Sequence, residues 1–164
     1  MLRQRAASGA RALLCAAAAG LTLCASVHAC QLILTEHRSG RELQRLPLDV
    51  AAPGLEIAFE HSVLGTTVID RYVFRLNDTL TWQAWLIEER FDGQGYGLPH
   101  AAGLGERLLR EGDTWRLLLD RPVQPLVVRP LPAQRMRLLR PDGHLLLSKL
   151  SDQAVEIQAS DCKR

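Results

Sequence analysis

Residues 55–61 read Leu55-Glu56-Ile57-Ala58-Phe59-Glu60-His61, and residues 66–76 read Thr66-Thr67-Val68-Ile69-Asp70-Arg71-Tyr72-Val73-Phe74-Arg75-Leu76. In the first stretch Leu55, Ile57 and Phe59 alternate with Glu56, Ala58 and Glu60, the period of two that an extended strand shows when one face meets a core. His61 then falls on the apolar face at the strand's end, and Ser62 points the other way. In the second stretch Val68, Tyr72, Phe74 and Leu76 share parity with Asp70, which sets a carboxylate among core-facing residues. With residues 62–65 as the hairpin loop, His61 lies opposite Thr66 and Ile57 lies opposite Asp70.

The same signature recurs outward in both directions. Strands are expected over 31–35 and 42–48, around a turn at Arg38-Ser39-Gly40, and over 80–89 after the turn at Asn77-Asp78. A hairpin centres on Glu111-Gly112-Asp113 with 114–119 as its second arm. Pro125, Pro130 and Pro132 confine 126–131 to an edge or an irregular stretch. Segments 135–140 and 144–150 flank Pro141-Asp142-Gly143, and 155–159 closes the chain. A short helix fits only at 101–110. About ten short strands predict an all-β fold, a small antiparallel β-sandwich or barrel.

The chain opens with Arg3, Arg5 and Arg11, an apolar run over 12–25 and the small-residue stretch Ser26-Val27-His28-Ala29. That is the pattern of a cleaved signal peptide over 1–29, leaving one domain over 30–164 in the periplasm or another extracytoplasmic space. Of 20 basic residues three leave with the leader, so 17 face 18 acidic ones and the mature net charge is −1, which argues against nucleic acid as a partner. Residues 106–140 nevertheless carry eight Arg against four acidic side chains, either a basic face or the outward half of alternating strands.

Cys15 and Cys24 also leave with the leader, so Cys30 and Cys162 remain at opposite ends of the mature chain. In an oxidising compartment two cysteines default to a bridge. The competing reading is a membrane-anchored lipoprotein acylated on Cys30, since Val27 and Ala29 partly fit the residues that precede such a cysteine.

His61, Ser62 and Asp70 suggest a hydrolase-like set, but the hairpin register separates His61 from Asp70 by ~13 Å at ~3.3 Å per residue. Neighbouring side chains also face opposite sides, so His61 is badly placed to activate Ser62. The preferred roles are structural or ligand-facing, with His61 bonded to backbone and Asp70 accepting from backbone amides or an Arg. Gly93, Gly95, Gly97, Gly103 and Gly105 form a glycine loop that lacks the dinucleotide fingerprint and suits a tight corner or a cradle of amides for an anion. Phe91, Tyr96 and His100 are candidates to line a pocket beside it. The scattered histidines show no zinc spacing, and no metal or cofactor is expected. Trp82 shares core parity with Ala84 and Leu86, whereas Trp85 faces the other way, toward an interface or a second packed layer.

His61-Ser62-Val63 followed by Thr66, Val68, Asp70 and Tyr72, and later Gly95-Tyr96-Gly97-Leu98-Pro99, resembles the bacterial family known as domain of unknown function 1850. The likeness runs over 30–150. Members commonly carry Pro where Thr67 stands and an acid where Ile69 stands. The resemblance implies a small exported protein often encoded beside TRAP transporters of the TAXI type, and it implies no established activity. The expectation is therefore a non-enzymatic accessory or binding module whose partner is a TRAP-type permease, its solute-binding protein or a small organic anion. His61, Ser62, Val63, Asp70, Gly95, Gly97 and Pro99 are its motif residues. The alternatives are a hydrolase using Ser62 or His61 and a structural envelope lipoprotein held through Cys30.

Overall fold

A computed structural model of the protein describes residues 30–162; the leader expected over 1–29 lies outside the described residues. Eleven strands follow one another: Gln31–Glu36 (β1), Glu42–Pro47 (β2), Gly54–Glu60 (β3), Thr67–Leu76 (β4), Trp82–Asp92 (β5), Arg107–Glu111 (β6), Thr114–Val123 (β7), Val127–Val128 (β8), Arg137–Arg140 (β9), Gly143–Leu146 (β10) and Val155–Ser160 (β11). Two single turns of 3-10 helix occur at Pro132–Gln134 and Leu147–Lys149, with no α-helix among the described residues.

The strands form two antiparallel sheets, ordered β2-β1-β11-β8 and β10-β9-β3-β4-β5-β7-β6. They pack face to face as a sandwich. Leu32 and Leu34 of β1 and Val155 and Ile157 of β11 share one core with Ile57, Phe74, Leu86, Leu117 and Leu138 of the larger sheet. The short strand β8 lies at the edge of the smaller sheet, between Pro125 and Pro130, where a missing N–H breaks no ladder.

No helix forms at 101–110. Gly105 takes φ +78°, the carboxylate of Glu106 accepts the Gly103 N–H at 2.9 Å, and the chain turns into β6. Two glycines in four residues already weaken any helix there.

The hairpin of β3 and β4 has the register that the alternation requires, with Ile57 opposite Asp70 and Phe59 opposite Val68. Between β4 and β5 the register slips: Arg71 faces Glu88 but Tyr72 faces Leu86, so Ile87 is the extra residue of a β-bulge. Ala84 and Leu86 point inward before it, and Glu89 and Phe91 do so after it. Trp82 packs against the core; Trp85 lies on the outer face under the Arg75 guanidinium, 4.8 Å from the ring centre.

Cys30 and Cys162 are bonded, 132 residues apart in sequence. The bridge fastens the start of β1 to the end of β11, which already pair from Gln31 opposite Ser160 to Glu36 opposite Val155. A lipid thioether on Cys30 needs the same sulfur, so bridge and anchor exclude each other. On the chain-entropy relation a loop of this length stabilises the fold by about 5 kcal/mol. Replacing both cysteines with Ala should lower the urea-unfolding free energy by several kcal/mol and leave the far-ultraviolet strand signal intact.

Candidate functional site

The turn after β3 is organised by its first residue. The His61 N–H donates to the Thr66 carbonyl at 2.8 Å and the Gly65 N–H donates to the His61 carbonyl at 2.9 Å, which closes the expected hairpin. The amides of Val63 and Leu64 donate to His61 Nδ1 at 3.3 and 3.2 Å. On the other side of the ring Nε2 lies 3.1 Å from the Tyr96 carbonyl oxygen. A carbonyl only accepts, so Nε2 carries the proton and Nδ1 offers its lone pair, and the neutral ring satisfies all three contacts.

Tyr96 belongs to the loop that follows β5. Gly95 and Gly97 take φ +88° and +98°, and Tyr96 between them takes +54°, a left-handed backbone that costs a residue with a Cβ roughly 1–2 kcal/mol. Leu98 N–H donates to the Gly95 carbonyl at 3.1 Å, so the glycines make a tight corner.

Below this corner lies a cavity of about 340 Å³, walled by Phe59, Val68 and Phe91. His61, Ser62, Asp70, Gly97 and Pro99 all line it. Val63, 62% exposed, and Gly95 shape the two turns without facing the cavity, and His100 lies outside it. Tyr96, as expected, and Leu98 line it too, and Gln134 and Glu89, which strict alternation does not single out, complete the lining. The one sequence signal for Glu89 is the switch of apolar parity between Leu86 and Phe91.

Glu89 stands directly opposite Asp70 across β4 and β5. The Tyr72 hydroxyl donates to Asp70 Oδ2 at 3.3 Å, in place of the expected backbone amide or Arg, and Oδ1 is buried without a partner. Burial first, and the nearby Glu89 carboxylate second, push the Asp70 carboxyl up to about 7. Burial also raises Glu89, opposed by Arg121 and reinforced by Glu106. The same burial and the Asp70 charge hold Tyr72 in its phenol form. The pair can keep a proton or receive N–H and O–H donors from a bound group.

A hydrolytic set is not assembled. Both ring nitrogens of His61 are committed to backbone, and no hydrogen bond joins His61 to Ser62 or Asp70 among the described residues. Nor are three His, Cys, Asp or Glu side chains placed together for a metal ion among them. A larger cleft of about 1040 Å³ opens at the sandwich end near Cys162, lined by Phe74, Trp82, Leu126 and Ile157, and contains none of the motif residues. Four of the eight arginines of 106–140 are paired: Arg116 with Glu88 and Glu111, Arg121 with Glu106, Arg135 with Glu60 and Arg140 with Asp142.

The profile of the family described as domain of unknown function (DUF1850) matches residues 55–147, from β3 to the turn after β10. The chain belongs to that family. No curated protein and no solved structure matches it. In this DUF1850 chain the matched region holds both motifs, and the His61 to Tyr96 bond is where they meet.

Asp70 titrates higher folded, at about 7, than unfolded, near 3.8, so the folded state holds its proton more tightly between those values. Its contribution to stability is full below the lower value and is lost as pH rises through the higher one. Unfolding free energy should therefore carry a falling component of about 1.4 kcal/mol per pH unit over that window. Asp70→Asn should flatten it and gain stability above neutrality, as urea titrations at a series of pH values will read.

Proposed function

We propose that this DUF1850 protein is an exported, non-enzymatic accessory module that works beside a TRAP-type transporter of the TAXI kind, through contact with the permease or its solute-binding protein. Export is read from the Arg-flanked apolar leader and its small-residue end. The transporter is read from the company that this family keeps.

The observation that carries the non-enzymatic reading is the saturation of His61. A ring whose Nδ1 accepts two amides and whose Nε2–H serves the Tyr96 carbonyl has no lone pair left for a substrate or for Ser62. Ser62 is exposed, and no side-chain hydrogen bond joins it to His61, Asp70 or Glu89 among the described residues. Electrostatics favours a protein partner over a free organic anion at the cavity. Asp70 and Glu89 face it and no Lys or Arg lines it, so an anion would meet like charge there.

The test is a crosslinked pull-down from native membranes, with the protein expressed from its own locus. Recovery of a transporter permease or its solute-binding protein is the expected result. Failure to recover either, where a known membrane pair survives the same protocol, would overturn the partnership. A serine-directed fluorophosphonate should leave Ser62 unmodified; labelling there would restore the hydrolase reading.

A further inference from the structure

We propose that His61 is a proton-operated latch that holds the 93–99 loop over the Asp70–Glu89 cavity and lets it go when the imidazole is protonated. The inference goes beyond the transporter reading and does not depend on it.

The geometry sets a condition on one atom. Nδ1 of His61 accepts the Val63 and Leu64 amides at 3.3 and 3.2 Å, which requires a bare lone pair. An imidazolium has N–H at both nitrogens, so three donors would converge with no acceptor among them. The ring must then leave its seat. Its Nε2–H leaves with it, and so does the hydrogen bond that ties residues 93–99 to the 61–66 turn. The other bond in the loop, Leu98 N–H to the Gly95 carbonyl, is internal and anchors nothing.

The Tyr96 end of the loop is ready to move once released, while Leu98 stays packed against the core. Tyr96 holds a left-handed backbone at φ +54° while 72% exposed, so no packing of its ring retains it. Glycines at 95 and 97, at φ +88° and +98°, flank it and supply two easy hinges. Losing the tie from His61 opens the Asp70–Glu89 cavity on the side that Tyr96 and Gly97 form.

The charged and titratable groups that share the cavity with His61 are few. From β4 there is Asp70, from β5 Glu89, and from the loop the Tyr96 phenol. Glu60, on the strand that leads into His61, is paired with Arg135 at 3.3 Å, and Asp92 at the end of β5 accepts from Thr114 at 2.8 Å. Gln134 is neutral. Because Asp70 itself takes up a proton near neutrality, the experiment must separate its response from that of His61.

Hydrogen–deuterium exchange of the whole protein, read near pH 7.5 and near pH 5 and divided by intrinsic exchange rates, makes that separation. In the parent, protection over 62–65 and 94–99 should fall roughly tenfold at the lower pH while β1 and β11 keep theirs. Asp70→Asn should behave as the parent does. In His61→Asn the shorter carboxamide still accepts from the turn amides, does not titrate and does not reach Tyr96. Its turn should be insensitive to pH and its loop should exchange freely at both. Unchanged parental protection would overturn the latch, and so would a response that disappears in Asp70→Asn. Should His61→Asn not fold, the parent and Asp70→Asn still decide between imidazole and carboxylate. All readings come from the isolated protein, so the transporter partnership can fail without touching them.

Discussion

An extended strand shows its side chains to alternate faces, and one inserted residue reverses every side chain beyond it. In this protein that constraint acts at Ile87. The bulge lets β5 serve the core with Ala84 and Leu86 on one side and with Glu89 and Phe91 on the other. Without it Glu88 would enter the cavity and Glu89 would face out. With it, two adjacent glutamates have opposite electrostatic fates. Glu88 is only 6% exposed but lies on the outer face, where hydrogen bonds from Arg116 hold its carboxyl below the usual range. Glu89 enters the sandwich, and burial lifts it instead. The cavity owes its second carboxylate to a single residue of register.

The smaller sheet solves a different problem, that of giving the larger one something to pack on. Its two central strands are the first and last of the described chain, paired over six residues and locked by Cys30–Cys162. Pairing of such distant segments closes a very long loop, and the covalent link removes much of that entropy from the unfolded chain. Leu34, Val155 and Ile157, all essentially inaccessible, lie on these two strands and complete the core. A protein of this size has one core and cannot spare that layer. The layer in turn fixes the larger sheet that carries Asp70 and Glu89.

Where the fold follows from local alternation and turn chemistry, the residues declare it. Leu55 to Phe59 and Val68 to Phe74 state their own pairing because only one register puts both apolar rows on one face. The prolines around Val127 and Val128 announce an edge for an equally local reason. Two things stay hidden. The bulge at Ile87 is decided by the partners of β5 on both sides, and only the parity switch at Phe91 hints at it. The choice of strand over helix at Arg107–Glu111 is the second: the hairpin at 111–113 calls for a first arm there, but RLLRE alone suits a helix as well, and pairing with β7 decides it. Of the site, His61, Ser62, Asp70 and the glycine corner were legible as motifs. That one cavity collects them was not, because it takes tertiary placement of the 93–99 loop to roof it.

The choice of histidine at position 61 follows from what the site asks of a single side chain. It must accept from a turn on its own strand and donate to a carbonyl 35 residues further along. A lysine or arginine supplies donors only and a carboxylate only acceptors, so each would satisfy one contact and repel the other. Asparagine offers both kinds of atom, but on one carbon and one bond closer to the backbone, too compact to span turn and loop. The imidazole sets acceptor and donor on opposite sides of a rigid ring, and it alone among such side chains changes between these roles near neutrality. The property that makes His61 a good strut is therefore the one that makes it a sensitive strut. A sandwich that needed only rigidity here could have used backbone pairing, as it does everywhere else along β3 and β4.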